Sequence, residues 1–137
     1  MTRPLSAAAL AVLLAGTAAC GRPAPAGDPA AGRAAFVELQ CTACHEVAGD
    51  SLPPPATTPA VRLGGRMMLP PSPERTRDDI LLPSSHFAQG YPREQIMSGE
   101  ASRMPPNYKE RLTDAQVANL VAYLQSHYAR GLPSATQ

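Results

Sequence analysis

Cys41-Thr42-Ala43-Cys44-His45 carries the densest chemistry in this 137-residue chain. Two thiols three residues apart fall on one side of a single helical turn, where they can meet the two vinyl groups along one edge of a haem. The imidazole that follows then faces the iron as its proximal ligand. Two other chemistries compete for the same residues. A redox dithiol would want a strand-helix-strand context, and no alternating β-branched run precedes Cys41. A structural zinc site wants four Cys or His donors in two paired clusters, whereas His86 and His127 stand far from the pentapeptide and unpaired.

A haem iron held by His45 has a second axial position, and the sequence offers six candidates for it: Met67, Met68, Met97, Met104, His86 and His127. Met67 and Met68 precede a proline-rich bend, where filling the core or lining the haem edge is the ordinary use of methionine. Met97 lies in a short helical turn, where core packing is the default. His127 is near the end of a helix, a place where histidine caps carbonyls. Met104 stands in Ser102-Arg103-Met104-Pro105-Pro106, where prolines stiffen the loop and present a flexible thioether at low entropic cost. Arg66, Arg103 and Tyr108 are candidates to meet the haem propionates.

Elements that could position these residues are legible around them. Asp28 as N-cap and Pro29 at the first helical position start a helix running to about Leu39, with Gly32, Phe36 and Leu39 on one face. Ser72, Pro73 and Pro83 bracket a second helix to about Leu82, with Ile80, Leu81 and Leu82 turned inward. A short third turn spans Pro92 to Ser98, closed by Gly99. Thr113 and Gln116 form a capping box for the last helix, whose Val117, Leu120, Val121 and Leu124 repeat as one buried stripe through to about Tyr128, before Gly131 and Pro133 end it.

Residues 1–19 read as an export signal: Arg3, an apolar run from Leu5 to Ala15, then small residues. That run is shorter than the roughly 20 apolar residues of a membrane span. Thr17-Ala18-Ala19-Cys20-Gly21 resembles the lipobox of bacterial lipoproteins, in which the cysteine becomes the acylated first residue; Thr17 departs from the usual Leu, and ordinary cleavage nearby is the alternative. Residues 20–27, rich in Gly, Pro and Ala, make a flexible tether. One domain follows over 28–130, with a mobile tail over 131–137.

Composition excludes some classes and favours others. With two Phe, four Tyr and no Trp, the core is short of large apolar side chains, and a buried haem would supply the missing area. Formal net charge is +1, and without Arg3 the basic and acidic residues balance. No basic stripe invites nucleic acid. No catalytic base, nucleophile or phosphate loop is evident.

With the pentapeptide, Gly32/Phe36 in the first helix and Leu120/Tyr123 in the last, the chain resembles the class I monohaem c-type cytochromes over about residues 28 to 128. The resemblance implies an all-α fold of three to four helices around one covalently bound haem c, the terminal helices crossing near Gly32. It implies Met104 as the sixth ligand, since the family carries a methionine on an irregular loop before the last helix, often followed by proline. It also implies a proline carbonyl about ten residues past His45 as acceptor for the second ring N–H, here one of Pro53, Pro54 or Pro55. Iron bound by His45 and Met104 leaves no position for substrate, which suits one-electron transfer by an exported carrier, periplasmic or membrane-tethered through Cys20, between a redox donor and an acceptor. The rivals are a haem subunit of a larger dehydrogenase or oxidase, and a haem enzyme or gas-binding module with an open iron site.

Overall fold

The computed structural model describes residues 26–58 and 60–132. Asp28 caps α1 (Pro29–Glu38) by accepting from the Ala30 N–H at 2.8 Å, and Pro29 sits where its missing N–H costs nothing. The helix ends as Gln40 adopts a left-handed conformation with φ 58°, an uncommon one for a residue with a Cβ. That twist turns the chain directly into a 3₁₀ turn, Cys41–Ala43.

At the other end of the domain, α5 (Asp114–Ser126) begins with both halves of the expected capping box. Gln116 N–H donates to Thr113 Oγ1 at 3.2 Å and Thr113 N–H to Gln116 Oε1 at 3.0 Å. Helix α1 packs more extensively on α5 than any other pair of elements. The reason is Gly32: a Cβ there would stand 2.0 Å from the Asn119 carbonyl oxygen, so the backbones approach as only glycine permits. The Phe36 and Tyr123 rings close the crossing with centroids 5.5 Å apart. Both are buried, with Val117, Leu120 and Leu124 beside them, and Val121 and Leu39 pack half-buried on the same cluster.

Between these helices lie α2 (Pro73–Leu81), α3 (Arg93–Ile96) and α4 (Tyr108–Arg111). Ser72 caps α2 by accepting from the Arg75 N–H at 3.1 Å. Ile80 and Leu81 join the core as expected; Leu82 does not, being the C-cap and 49% exposed. Pro83 is buried in its place. Gln125 of α5 secures α2 by donating to Thr76 Oγ1 at 2.7 Å and to the Pro71 carbonyl at 3.1 Å, which satisfies the buried Thr76 hydroxyl.

Among the described residues three short two-stranded pairs tie the loops down. Strand β1 (His45–Val47) runs parallel to β2 (Val61–Leu63), and β3 (Gly65–Met67) runs parallel to β6 (Tyr128–Arg130), while β4 (Met97–Ser98) turns back onto β5 (Ala101–Ser102). These correct three expectations. The last helix stops at Ser126 with His127 as C-cap, because the Tyr128 backbone is committed to pairing with Gly65. The third helical turn covers only Arg93–Ile96, and Gly99, at φ 63°, turns the β4–β5 hairpin. Among the described residues five helices stand where three to four were expected, two of them of four residues. Gly27, expected as the last residue of a tether, packs on α5, a Cβ there falling 2.0 Å from the Ala118 carbonyl oxygen, and Asp28 N–H donates to Asn119 Oδ1 at 2.8 Å. The signal at 1–19, Cys20 and residues 133–137 of the tail lie outside the described residues.

Candidate functional site

Cys41 opens the 3₁₀ turn and Cys44 caps it, its N–H donating to the Cys41 carbonyl at 3.3 Å. The turn therefore holds the two thiols in one short, rigid arc. Both are free: Cys41 is half-buried against the core and Cys44 exposed. Burial pushes the Cys41 thiol up to about 11, so it stays protonated at neutral pH. A catalytic dithiol needs the opposite, a thiolate stabilised by its surroundings.

His45 begins β1, and the β1–β2 register sets its ring. Opposite it in the pair stands Val61, whose carbonyl lies 3.2 Å from His45 Nδ1. With that nitrogen donating, Nε2 keeps its lone pair for a metal. Burial lowers the His45 pKa, which holds the ring in its neutral, ligating form. The acceptor is thus Val61 and not Pro53, Pro54 or Pro55. Parallel pairing presents the Val61 carbonyl to the start of β1, whereas Pro53 and Pro54 are exposed on the loop between the strands. The same pairing is braced at the turn, where Ala56 N–H and Thr57 N–H both reach the Ala43 carbonyl, at 2.9 and 3.2 Å.

Met104 is half-buried, and its loop is held from several sides. Ser102 Oγ accepts from the Met104 N–H at 3.1 Å, and Arg103 N–H donates to the Ile96 carbonyl at 2.9 Å. The Arg103 guanidinium donates to the Met97 carbonyl at 2.9 Å and the Glu94 carbonyl at 3.0 Å. Arg103 thus braces the loop's own backbone through Nε and Nη2. Arg66 is exposed on β3, near Gly131. Tyr108, three residues past Pro105, is 7% exposed, and burial raises its pKa.

The other candidates for the second axial position are differently placed. Met97 is buried in the core, and His127 Nδ1 lies 2.9 Å from the Tyr123 carbonyl, both as expected. His86 is exposed and paired with Asp79 at 3.0 Å. Met67 and Met68 are 41% and 62% exposed, which removes them from the core, one of the two places expected for them. Among the described residues no group of three or more Cys, His, Asp or Glu gathers to hold a metal ion, which leaves the zinc reading without its remaining donors.

One residue near the site gave no signal in the sequence. Asp50, five residues past His45, joins the two crossing helices: Arg33 of α1 donates to its two oxygens at 2.8 and 3.1 Å, and the Tyr123 hydroxyl of α5 donates to it at 2.7 Å. A loop aspartate has no periodicity to betray such a role. The Arg33 and Tyr123 hydrogen bonds hold its carboxyl below the usual carboxylate range. Asp50→Asn should cost about 1–2 kcal/mol, less than a buried charged hydrogen bond because Arg33 is 46% exposed. A depressed carboxylate contributes stability that is fully present above the unfolded value of about 3.9 and is lost as pH falls through the lower folded value. Acid titration of unfolding free energy should then show a shallower fall below about pH 4 in Asp50→Asn than in the wild type. Equal slopes would remove Asp50 from the acid response.

A predominantly helical domain whose outer helices cross at a glycine, with a Cys-x-x-Cys-His turn whose imidazole is oriented and neutral, defines a haem-binding electron-transfer protein. The family model described as Cytochrome c matches residues 29–127, and the chain belongs to that family. No match was found among curated proteins or among solved structures. The fold is accordingly the mostly helical cytochrome c fold, and the cofactor is haem c, covalently bound. The donor set fits it: two free thiols on one turn and, in the next residue, an imidazole with one ring nitrogen left free.

Proposed function

We propose that Cys41 and Cys44 carry the haem as thioethers, that His45 and Met104 bind its iron from opposite sides, and that the protein is an exported one-electron carrier tethered to a membrane through Cys20. The observation that carries this reading is His45 itself, whose Nδ1 is engaged by the Val61 carbonyl and whose Nε2 is left to a metal. Bound haem supplies a reversible ferric–ferrous couple, and a thioether opposite imidazole favours the reduced state.

The chain's own residues do the remaining work. The β1–β2 register fixes the imidazole plane, and Arg103 with Ser102 fixes the loop that presents Met104, so little need rearrange when the electron moves. Partners are redox proteins meeting the domain in small, short-lived contacts.

The test is mass spectrometry and optical spectroscopy of mature exported protein. The expected result is one added porphyrin, an acylated Cys20, a far-red methionine-to-iron band in the oxidised form, and a reduced spectrum indifferent to carbon monoxide. Readily bound carbon monoxide would favour an open-site haem module. A stoichiometric partner persisting through purification would favour a subunit of a larger oxidoreductase.

A further inference from the structure

The only run of three consecutive large apolar residues exposed among those described is Met67, Met68 and Leu69, at 41%, 62% and 79%. It is held outward by the β3–β6 pair, in which Met67 stands opposite Arg130 and the Gly131 N–H donates to the Met67 carbonyl at 3.0 Å. Leu132, 73% exposed, follows on the partner strand. Arg66 and Arg130 are the exposed charged residues of these two strands, and neither 64–70 nor 127–132 contains a carboxylate. Exposed leucine and methionine flanked by arginine, with no acid among them, match an anionic lipid surface: apolar side chains enter the acyl boundary while the guanidinium groups meet phosphate.

The chain outside the described residues ends within reach of this patch. Gly27 packs against Ala118 of α5, and β6, which carries Arg130 of the patch, begins at Tyr128, just past the end of the same helix. At 1.5 Å per residue those points are roughly 15 Å apart along the helix. The seven residue-to-residue steps from Cys20 to Gly27 span up to about 23 Å. A lipid on Cys20 can therefore lie in the same membrane plane as the patch.

We propose that Met67, Met68, Leu69 and Leu132, flanked by Arg66 and Arg130, form the face that rests on the anionic membrane to which Cys20 tethers the domain. This rests on the tethered-carrier reading above. The face sets the orientation of a domain that the tether alone would leave free to tumble, and so fixes which side of the haem protein is offered to its partners.

The test uses exported mature holoprotein carrying Cys20→Ser, sedimented with phosphatidylglycerol vesicles and with neutral phosphatidylcholine vesicles. Binding is expected to the anionic vesicles only, and to weaken severalfold at about 0.5 M salt, where screening acts over about 4 Å. Met68→Asp with Leu69→Asp should lower it at least tenfold. An unchanged optical spectrum will show that these exposed substitutions leave the haem site intact. Absence of vesicle binding, or equal binding by the Asp variant, overturns the proposal. So does a dimer that the Asp variant dissociates, since a second copy would then cover the face. Mass spectrometry of the wild-type chain reads the anchor separately: an unmodified Cys20 overturns the tether, and this proposal with it, whereas failed vesicle binding with Cys20 acylated overturns the patch alone.

Discussion

Met104→Ala is expected to abolish the far-red methionine-to-iron band, to open the ferrous iron to carbon monoxide, and to lower the reduction potential by at least the order of 100 mV. Axial ligands set haem potentials over a range of about 0.8 V, so exchange of a thioether for water or a stray imidazole moves the couple by a substantial part of it. The fold should survive. Met104 is only half-buried, and the contacts of Ser102 Oγ and the Arg103 guanidinium with the loop do not involve its side chain. Met97→Ala makes the informative contrast. Met97 is 5% exposed, so its truncation should cost about 2–5 kcal/mol while leaving the band in place. Survival of the band in Met104→Ala would sink the assignment and send the search to the remaining candidates. Of these, His127 would have to give up the Tyr123 carbonyl, and His86 would have to leave Asp79.

Gly32→Ala should be among the most damaging small substitutions in the domain. Its Cβ would fall 2.0 Å from the Asn119 oxygen, 2.6 Å from the Asn119 carbonyl carbon and 2.7 Å from Tyr123 Cβ. Two of the three are backbone atoms of α5, so no side-chain rotation relieves the collision and the helices must separate. Alanine would gain up to about 1 kcal/mol in helix propensity. Against that, the loss of close packing along the main interface should leave a net cost of about 3–5 kcal/mol. In a domain whose total stability is about 5–15 kcal/mol, that also threatens the yield of haem-loaded protein. Gly49→Ala is the control: its φ is 78° but nothing lies within 4 Å of a Cβ, so strain alone should cost about 1–2 kcal/mol. Denaturant unfolding of both variants, followed by haem absorbance, checks the difference, and equal midpoints would mean that the crossing does not depend on the missing side chain.

The parts of this protein that its sequence determined are those whose physics is local. The Asp28 and Ser72 caps, the Thr113/Gln116 box and the buried stripe of Val117, Leu120 and Leu124 follow from hydrogen bonds and side-chain spacing within one or two turns. The Cys41, Cys44, His45 grouping is legible for the same reason, since a covalent attachment within one turn needs its residues adjacent in the chain. Gly32 was readable as a close approach, although the atoms it meets, at Asn119 and Tyr123, were not.

Tertiary structure alone decided where leftover backbone groups and surface charges found partners. The His45 ring bonds to Val61, sixteen residues away, because β1 and β2 happen to pair in that register. Helix α5 yields at His127 because Gly65 takes up the Tyr128 backbone, and Asp50, already paired with Arg33, reaches Tyr123 across a separation of 73 residues. Leu82 faces solvent and Met67 and Met68 are displayed for want of a facing element, which no periodicity within their own segments encodes. Such pairings depend on which groups remain unsatisfied once distant segments meet, and a residue's type records its capacity to bond but not its partner.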